Sequence, residues 1–304
     1  MLERAKTREA AEAILLVLVA VAFIMVFGYF SMIFAFVLSF IEWDYLSPMQ
    51  FVGLENYAKV LEDLMKGFGG VFFFQAPFYT GVRNILVYTA IVVPAQTFLA
   101  VILATLANQK LKGATFYKLV YFLPGTTSAV IISLIFIWLF MKQGFFNWAI
   151  QLVIPGFAPD WLNNPSYLIP AMALVAIWGT SGHFTISYLA ALQSIPRELY
   201  EAASMDGAGR IRKFWYITLP MLKPMTVFVL VMGIIGALQM FDLAYVMAGT
   251  SGGPGGSGYT ITLDIWRDAF IRLRPGVAAA KSFALFAMCF GLTYILRKKY
   301  GVFR

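Results

Sequence analysis

Six long apolar runs decide most of what this chain can fold into. They cover residues 14–41, 85–107, 119–140, 168–192, 225–247 and 277–296. A helix rises about 1.5 Å per residue, so a run of about 20 residues crosses the roughly 30 Å hydrocarbon layer of a bilayer. Inside lipid every backbone N–H and C=O must find a partner within the chain, which makes a helix the natural form of such a run. Composition agrees: 61% of residues are hydrophobic and 12% charged, against about 45–50% and about 25% in soluble domains. The chain is therefore predicted to be all-α, a polytopic membrane helical bundle with six transmembrane helices. The first run is too long for a signal-peptide core and lacks a clear small-residue cleavage site, so it is predicted to be an uncleaved span.

Charge distribution orients the bundle. With the N-terminus inside, the inner segments carry 15 Lys and Arg residues and the outer segments 8. The inner set includes Arg4, Lys6 and Arg8, then Lys110, Lys112 and Lys118, then Arg197, Arg210, Arg212, Lys213 and Lys223. The positive-inside rule favours this arrangement, a multi-pass protein of the cell membrane with both termini cytoplasmic. A net charge of +8 distributed in this way serves topology and gives no reason to expect nucleic acid.

The connections carry the polar features. Residues 1–82 hold the N-terminal tail, the first span and a long external loop, and residues 83–304 hold the remaining core. The external loop contains Phe51-Val52-Gly53-Leu54-Glu55-Asn56-Tyr57 and ends in the aromatic patch Val71-Phe72-Phe73-Phe74, which is too short to span. Residues 145–154 are apolar but only ten long, which suits an interfacial helix. Pro124-Gly125 stands near the start of the third run and Pro94 inside the second. The run Gly252-Gly253-Pro254-Gly255-Gly256 reads as a turn-rich loop.

The most polar stretch between two spans is the inner loop at about 193–224. Pro196 suits a helix start, where its missing N–H costs nothing. Glu201-Ala202-Ala203-Ser204 forms a small-sided helical face with one acid. Asp206-Gly207 then ends the helix, because glycine takes the left-handed C-terminal cap without a Cβ clash. A second short helix is predicted to about Thr218, before Leu219-Pro220 turns the chain into the fifth run. A small-sided helix of this kind fits a groove on another protein; an ordinary cytoplasmic loop is the alternative reading.

The pattern Glu201-Ala-Ala-x-x-Asp206-Gly207-Ala208, with Phe214, Ile217, Leu219-Pro220 and Pro224, resembles the signature loop of binding-protein-dependent ABC importer permeases. More narrowly it is similar to the sugar permeases of the maltose and glycerol-phosphate type. The Phe51-to-Tyr57 stretch resembles the same group. So does Thr250-x-Gly252-Gly253-Pro254 with Thr260, Thr262, Leu263, Ala269 and Phe270, although Ser251 and Gly255-Gly256 lengthen that loop here. The resemblance implies a type I ABC importer permease architecture, with Glu201, Ala202, Ala203, Asp206 and Gly207 docking into a cytoplasmic ATPase. It further implies a second related permease and an extracytoplasmic solute-binding protein. Gly252, Gly253 and Pro254 become candidates for facing that protein. ATP and magnesium are expected in the partner ATPase, with no cofactor in this chain.

The residues themselves argue against bond chemistry. With one His and one Cys there is no metal-ligating set, no paired nucleophile and base, and no phosphate-binding glycine loop with Lys-Ser or Lys-Thr. His183 reads as a helix-packing or cavity-lining imidazole, beside Gly179, Ser181 and Gly182, whose small side chains let helices approach closely. Asp242 is the only acid well inside a run, and Lys281 sits near an outer end where it is expected to snorkel. Gln239, Asp242 and Tyr245 lie three apart, which on a continuous helix puts them on neighbouring turns. With Phe241 and Trp178 they form the candidate substrate cavity, since sugars are recognised by carboxylates, amides and aromatic faces. A structural ion pair of Asp242 with Arg267, Arg272 or Arg274 is the alternative. For the whole protein the alternative function is a self-sufficient secondary transporter or channel for a small polar solute; a polytopic membrane enzyme is a third class.

Overall fold

The computed structural model describes residues 14, 15, 17–70, 75–109 and 114–300. Arg4, Lys6, Arg8, the patch at 71–74, Lys110, Lys112 and the Lys118 side chain lie outside what is described. Among the described residues, four helices are long and apolar enough to cross a membrane: α1 (Val17–Leu38), α3 (Pro77–Ala107), α7 (Pro165–Gln193) and α13 (Pro275–Tyr300). Two bent pairs bring the number to six if each pair is one span. One pair is α4 (Ala114–Thr126) with α5 (Ala129–Phe140), bent by 108° where Leu119–Thr126 meets α5. The other is α9 (Arg210–Met221) with α10 (Lys223–Leu238), bent by 63°. Shorter helices are α2 (Glu55–Phe68), α6 (Phe145–Val153), α8 (Arg197–Met205), α11 (Asp242–Ala248) and α12 (Ile261–Phe270).

Two predicted spans thus need correction. The third run is interrupted at Thr127-Ser128, where Pro124 and Gly125 precede the break; there the hydroxyls of Thr126 and Thr127 donate to the Leu123 carbonyl at 2.9 and 3.1 Å. The fifth run stops at Leu238 and restarts at Asp242. The Thr262 hydroxyl donates to the Met240 carbonyl at 2.6 Å, satisfying a backbone group that the interruption frees.

The chain divides into two compact units, Met1–Glu62 with Ile265–Ala284, and Asp63–Asp264 with Leu285–Arg304. This division follows packing, whereas the division at residue 82 follows sequence motifs. In the first unit, α1 contains a π-helical stretch, Ile24–Phe30, with no buried residue. Its C-terminal end is held by aromatic packing: Phe36 meets Phe283 at 5.2 Å and Phe40 meets Tyr57 at 5.6 Å between centroids. A short antiparallel hairpin follows, β1 (Ile41–Glu42) on β2 (Gln50–Phe51). Its turn is tied by Asp44, whose carboxylate accepts from the Ser47 hydroxyl at 2.6 Å and the Ser47 N–H at 2.7 Å. Those bonds, the hydroxyl's first, pull the carboxyl down to about 2.

The Phe51-to-Tyr57 motif acquires a physical meaning here. Gly53 turns the chain at φ +57°, and the buried Asn56 amide donates to the carbonyls of Ser39 and Ile41 at 3.0 and 2.9 Å. The Tyr57 hydroxyl bonds Ser39 Oγ at 2.8 Å. The motif therefore clamps the chain as it leaves α1. Lys281 corrects another expectation. It does not snorkel: its side chain is 5% exposed and its ammonium meets Asp268 at 2.5 Å. Arg272 reaches the other oxygen of the same carboxylate at 2.8 Å.

In the second unit α3 and α7 pack along much of their lengths. Both begin with proline at the first helical position, and the Asn164 side chain caps α7 by accepting from the Ser166 N–H at 2.9 Å. The apolar core joins Ala100 and Ala104 of α3 to Phe184, Tyr188 and Leu192 of α7 and to Leu222 and Val229 near the start of α10. Small residues permit close approach, as expected in lipid. Gly182 lies so near α4 that a Cβ there would stand 1.8 Å from the Tyr121 carbonyl oxygen.

Candidate functional site

Two regions of the second unit gather the predicted residues. The first is a cavity of about 350 Å³, within the range of small-molecule sites. Tyr88 of α3 and Ala176, Gly179 and Thr180 of α7 contribute to its wall. Pro124, Gly125, Thr127 and Ala129 come from the α4–α5 break, and Gln239, Met240, Phe241 and Asp242 from the break after α10. Both helix interruptions therefore open onto the same space.

Gln239 caps the end of α10 and Asp242 opens α11. Their neighbourhood arises from the break, not from successive turns of one helix as the spacing suggests. Asp242 is exposed and makes no ion pair among the described residues, while Arg272 is committed to Asp268. Phe241 also lines the cavity. Tyr245 does not; its ring packs on Phe241 at 5.4 Å. Trp178 is likewise elsewhere, 5.4 Å from Phe136. His183 is exposed, with its ring 5.5 Å from Phe184.

Sequence reasoning missed Tyr88, Thr127 and Thr180 at this cavity. Thr180 bonds the buried Gln96 amide at 2.5 Å. Polar residues inside an apolar run were the available signal, since a polar side chain at membrane depth is costly unless it serves a cavity or a partner.

The second region is the inner loop. Helix α8 ends as the sequence predicts. Asp206 is the C-cap, Gly207 follows at φ +74°, the Ala208 N–H donates to the Ala203 carbonyl at 2.8 Å and the Gly207 N–H to the Ser204 carbonyl at 3.1 Å. That pair of bonds is the Schellman arrangement, which glycine accommodates without steric cost. The Tyr200 hydroxyl bonds Thr218 Oγ1 at 2.9 Å and so fastens α8 to α9. Lys213 donates to Ser204 Oγ at 2.5 Å. Glu201, Ala202 and Asp206 face outward and Ala203 is half-buried. Met205 and Ile211 are 89% and 77% exposed, two apolar side chains of this loop that the sequence pattern did not single out.

The glycine loop turns inward at two of its candidates. Gly252 and Gly253 have φ +78° and +73°; a Cβ on the first would meet the Tyr259 ring at 2.6 Å, and on the second Leu168 Cδ2 at 2.6 Å. Pro254 begins a single 3-10 turn, Pro254–Gly256. The buried Asn84 amide, also missed in the sequence, donates to the carbonyls of Gly256 and Tyr259 at 2.8 and 3.1 Å and seats the loop on α3.

The sulfoquinovosyl glycerol transport system permease protein SmoG of Agrobacterium fabrum is 36% identical over 252 residues, 82% of this chain and 77% of the relative. The arabinooligosaccharides transport system permease protein AraP of Bacillus subtilis is 33% identical over 92% of this chain and 85% of its own length. The trehalose/maltose transport system permease protein MalF of Thermococcus litoralis is 31% identical over 98% and 96%. A chain from the crystal structure of a bacterial ABC transporter for import of the acidic polysaccharide alginate shares the fold, with a TM-score of 0.78 over 99% of both chains at 21% identity. The family model of binding-protein-dependent transport system inner membrane components matches residues 96–297, from the buried Gln96 of α3 through the capped inner loop to the last span, and this multi-pass membrane chain belongs to that family.

Proposed function

We propose that this chain is the permease subunit of an ATP-driven importer for a sugar or related polyol, and that it couples ATP hydrolysis in a separate subunit to alternating access. The observation that carries this reading is the meeting of two interrupted helices at one cavity. Irregular backbone at membrane depth is tolerated where it lines a cavity, and broken helices build substrate sites in other transporter folds. The relatives' names supply the substrate class, and they include both neutral and anionic sugars. Gln239, Phe241 and Asp242 serve as cavity contacts. A second related permease completes the pathway, cytoplasmic ABC ATPase subunits hold ATP and magnesium, and an extracytoplasmic solute-binding protein delivers substrate past the surface around Pro254. Reconstitution tests this: uptake into proteoliposomes should require ATP, the ATPase and the binding protein together. Uptake by the purified chain alone would favour the secondary-transporter reading instead.

The inner loop is the docking element in this scheme. Gly207→Val meets no neighbour within 4 Å, so its effect comes from the backbone. A β-branched residue at positive φ costs about 1–3 kcal/mol and should unwind the cap that aims α8. Each 1.4 kcal/mol lost from docking is about a tenfold weaker complex. Gly207→Val and Glu201→Lys should each lower sugar-stimulated ATP hydrolysis by about tenfold while membrane insertion survives. Unchanged ATPase association by pull-down would remove the loop from the coupling role.

Both termini are proposed to be cytoplasmic. Met65→Cys and Ser251→Cys, at exposed positions in a Cys289→Ala background, should react with an impermeant maleimide in intact cells. Labelling only after the membrane is opened would invert the topology.

A further inference from the structure

We propose that the cavity admits uncharged sugars and excludes anionic ones, and that Asp242 enforces this choice. The inference rests on the sugar-import reading above and narrows its substrate class. The polar side chains of the wall are the hydroxyls of Tyr88, Thr127 and Thr180, the Gln239 amide and the Asp242 carboxylate. No Lys or Arg is among the described lining residues, and Asp242 is the only carboxylate there. Its charge is not cancelled, since it makes no ion pair among the described residues, and it stands exposed at the cavity.

These groups suit alcohols. A carboxylate accepts hydrogen bonds from hydroxyls, and charge-assisted bonds of this type are stronger than neutral ones. The Gln239 amide donates and accepts, and the Phe241 ring offers an apolar face. A phosphate, sulfonate or uronate needs the opposite: cationic or multiple N–H donors. Here it would meet a like charge in a partly enclosed space, where the effective dielectric constant of about 20 leaves repulsion strong enough for more than tenfold discrimination. The Thr180–Gln96 bond is neutral and does not offset that repulsion.

The test uses the assembled complex of this chain with its permease and ATPase partners in nanodiscs, without binding protein, so that discrimination upstream does not contribute. Calorimetric titrations at low salt compare trehalose with trehalose 6-phosphate and galactose with galacturonate. The neutral member of at least one pair should bind about tenfold or more tightly than its anionic partner. Asp242→Asn should shrink that ratio to within about threefold, by admitting the anion rather than only by weakening the neutral sugar, and Asp242→Glu should retain it. A merely structural role for Asp242 would weaken both members alike. Anionic binding as tight as neutral, a ratio unmoved by Asp242→Asn, or binding of neither pair overturns the proposal. ATP-driven, binding-protein-dependent sugar uptake would still support the import reading in each of those cases, so the two readings fail separately.

Discussion

Lys281→Met should destabilise the protein by about 3–5 kcal/mol, the usual consequence of removing one partner of a buried ion pair. The Asp268 carboxylate, with a side chain 3% exposed, would lose its bond to the Lys281 ammonium and keep only Arg272, whose side chain is 29% exposed. Leaving a buried charge underpaired costs more than the pair contributes, because the carboxylate was desolvated on folding in either case. The double variant Asp268→Asn, Lys281→Met removes the charge that the single variant strands, and should recover a large part of the loss. Thermal midpoints of the purified protein in detergent, followed by size-exclusion chromatography, measure both. A single variant as stable as the wild type would mean that the pair is not a clamp in the first unit. The same comparison decides against snorkelling, since a lysine whose head sits in water would tolerate Met with little change.

Gly182→Val should be at least as damaging, for a steric reason. A Cβ at this position would lie 1.8 Å from the Tyr121 carbonyl oxygen and 2.8 Å from its carbon. Both are backbone atoms and cannot rotate away, so α7 and α4 would have to separate by more than an ångström. Overpacking of a well-packed interface costs typically about 1–3 kcal/mol and more where the backbone must move. Gly182→Ala should already lower the thermal midpoint, and Val should lower it further or prevent recovery of monodisperse protein. Gly291→Ala is the control. It also adds a methyl group to a long helix, but nothing lies within 4 Å of its Cβ, so it should be neutral or stabilise by up to about 1 kcal/mol. Equal behaviour of the two alanine variants would show that close approach at Gly182 does not limit packing.

Much of this protein was legible in the chain because the cues were local. Apolar length located the spans, since a bilayer imposes one length on every helix that crosses it. The α8 cap was readable from Asp206-Gly207, because a left-handed residue after a helix is nearly a glycine signature, and the structure places Gly207 at φ +74°. Pro124-Gly125 stood beside the first interruption, but the apolar run continues on both sides of it, so the sequence read as one unbroken span.

The second interruption had no such cue. Residues 239–241 are Gln, Met and Phe, none of which breaks a helix by itself. The Met240 carbonyl finds its donor in Thr262, 22 positions away in the chain, and that partnership exists only after folding. The same holds for Asn84, which seats the glycine loop from 172 positions away, and for Lys281, whose partner Asp268 lies on another helix. Trp178 and Tyr245 carried the right chemistry for a cavity but point at neighbouring rings instead. The sequence by itself determined the helical class, the spans and the capped inner loop, because each follows from the chemistry of adjacent residues. Only the tertiary structure decided where helices break, which polar side chains share the cavity and which charges are paired, because those depend on donors and acceptors brought together from distant parts of the chain.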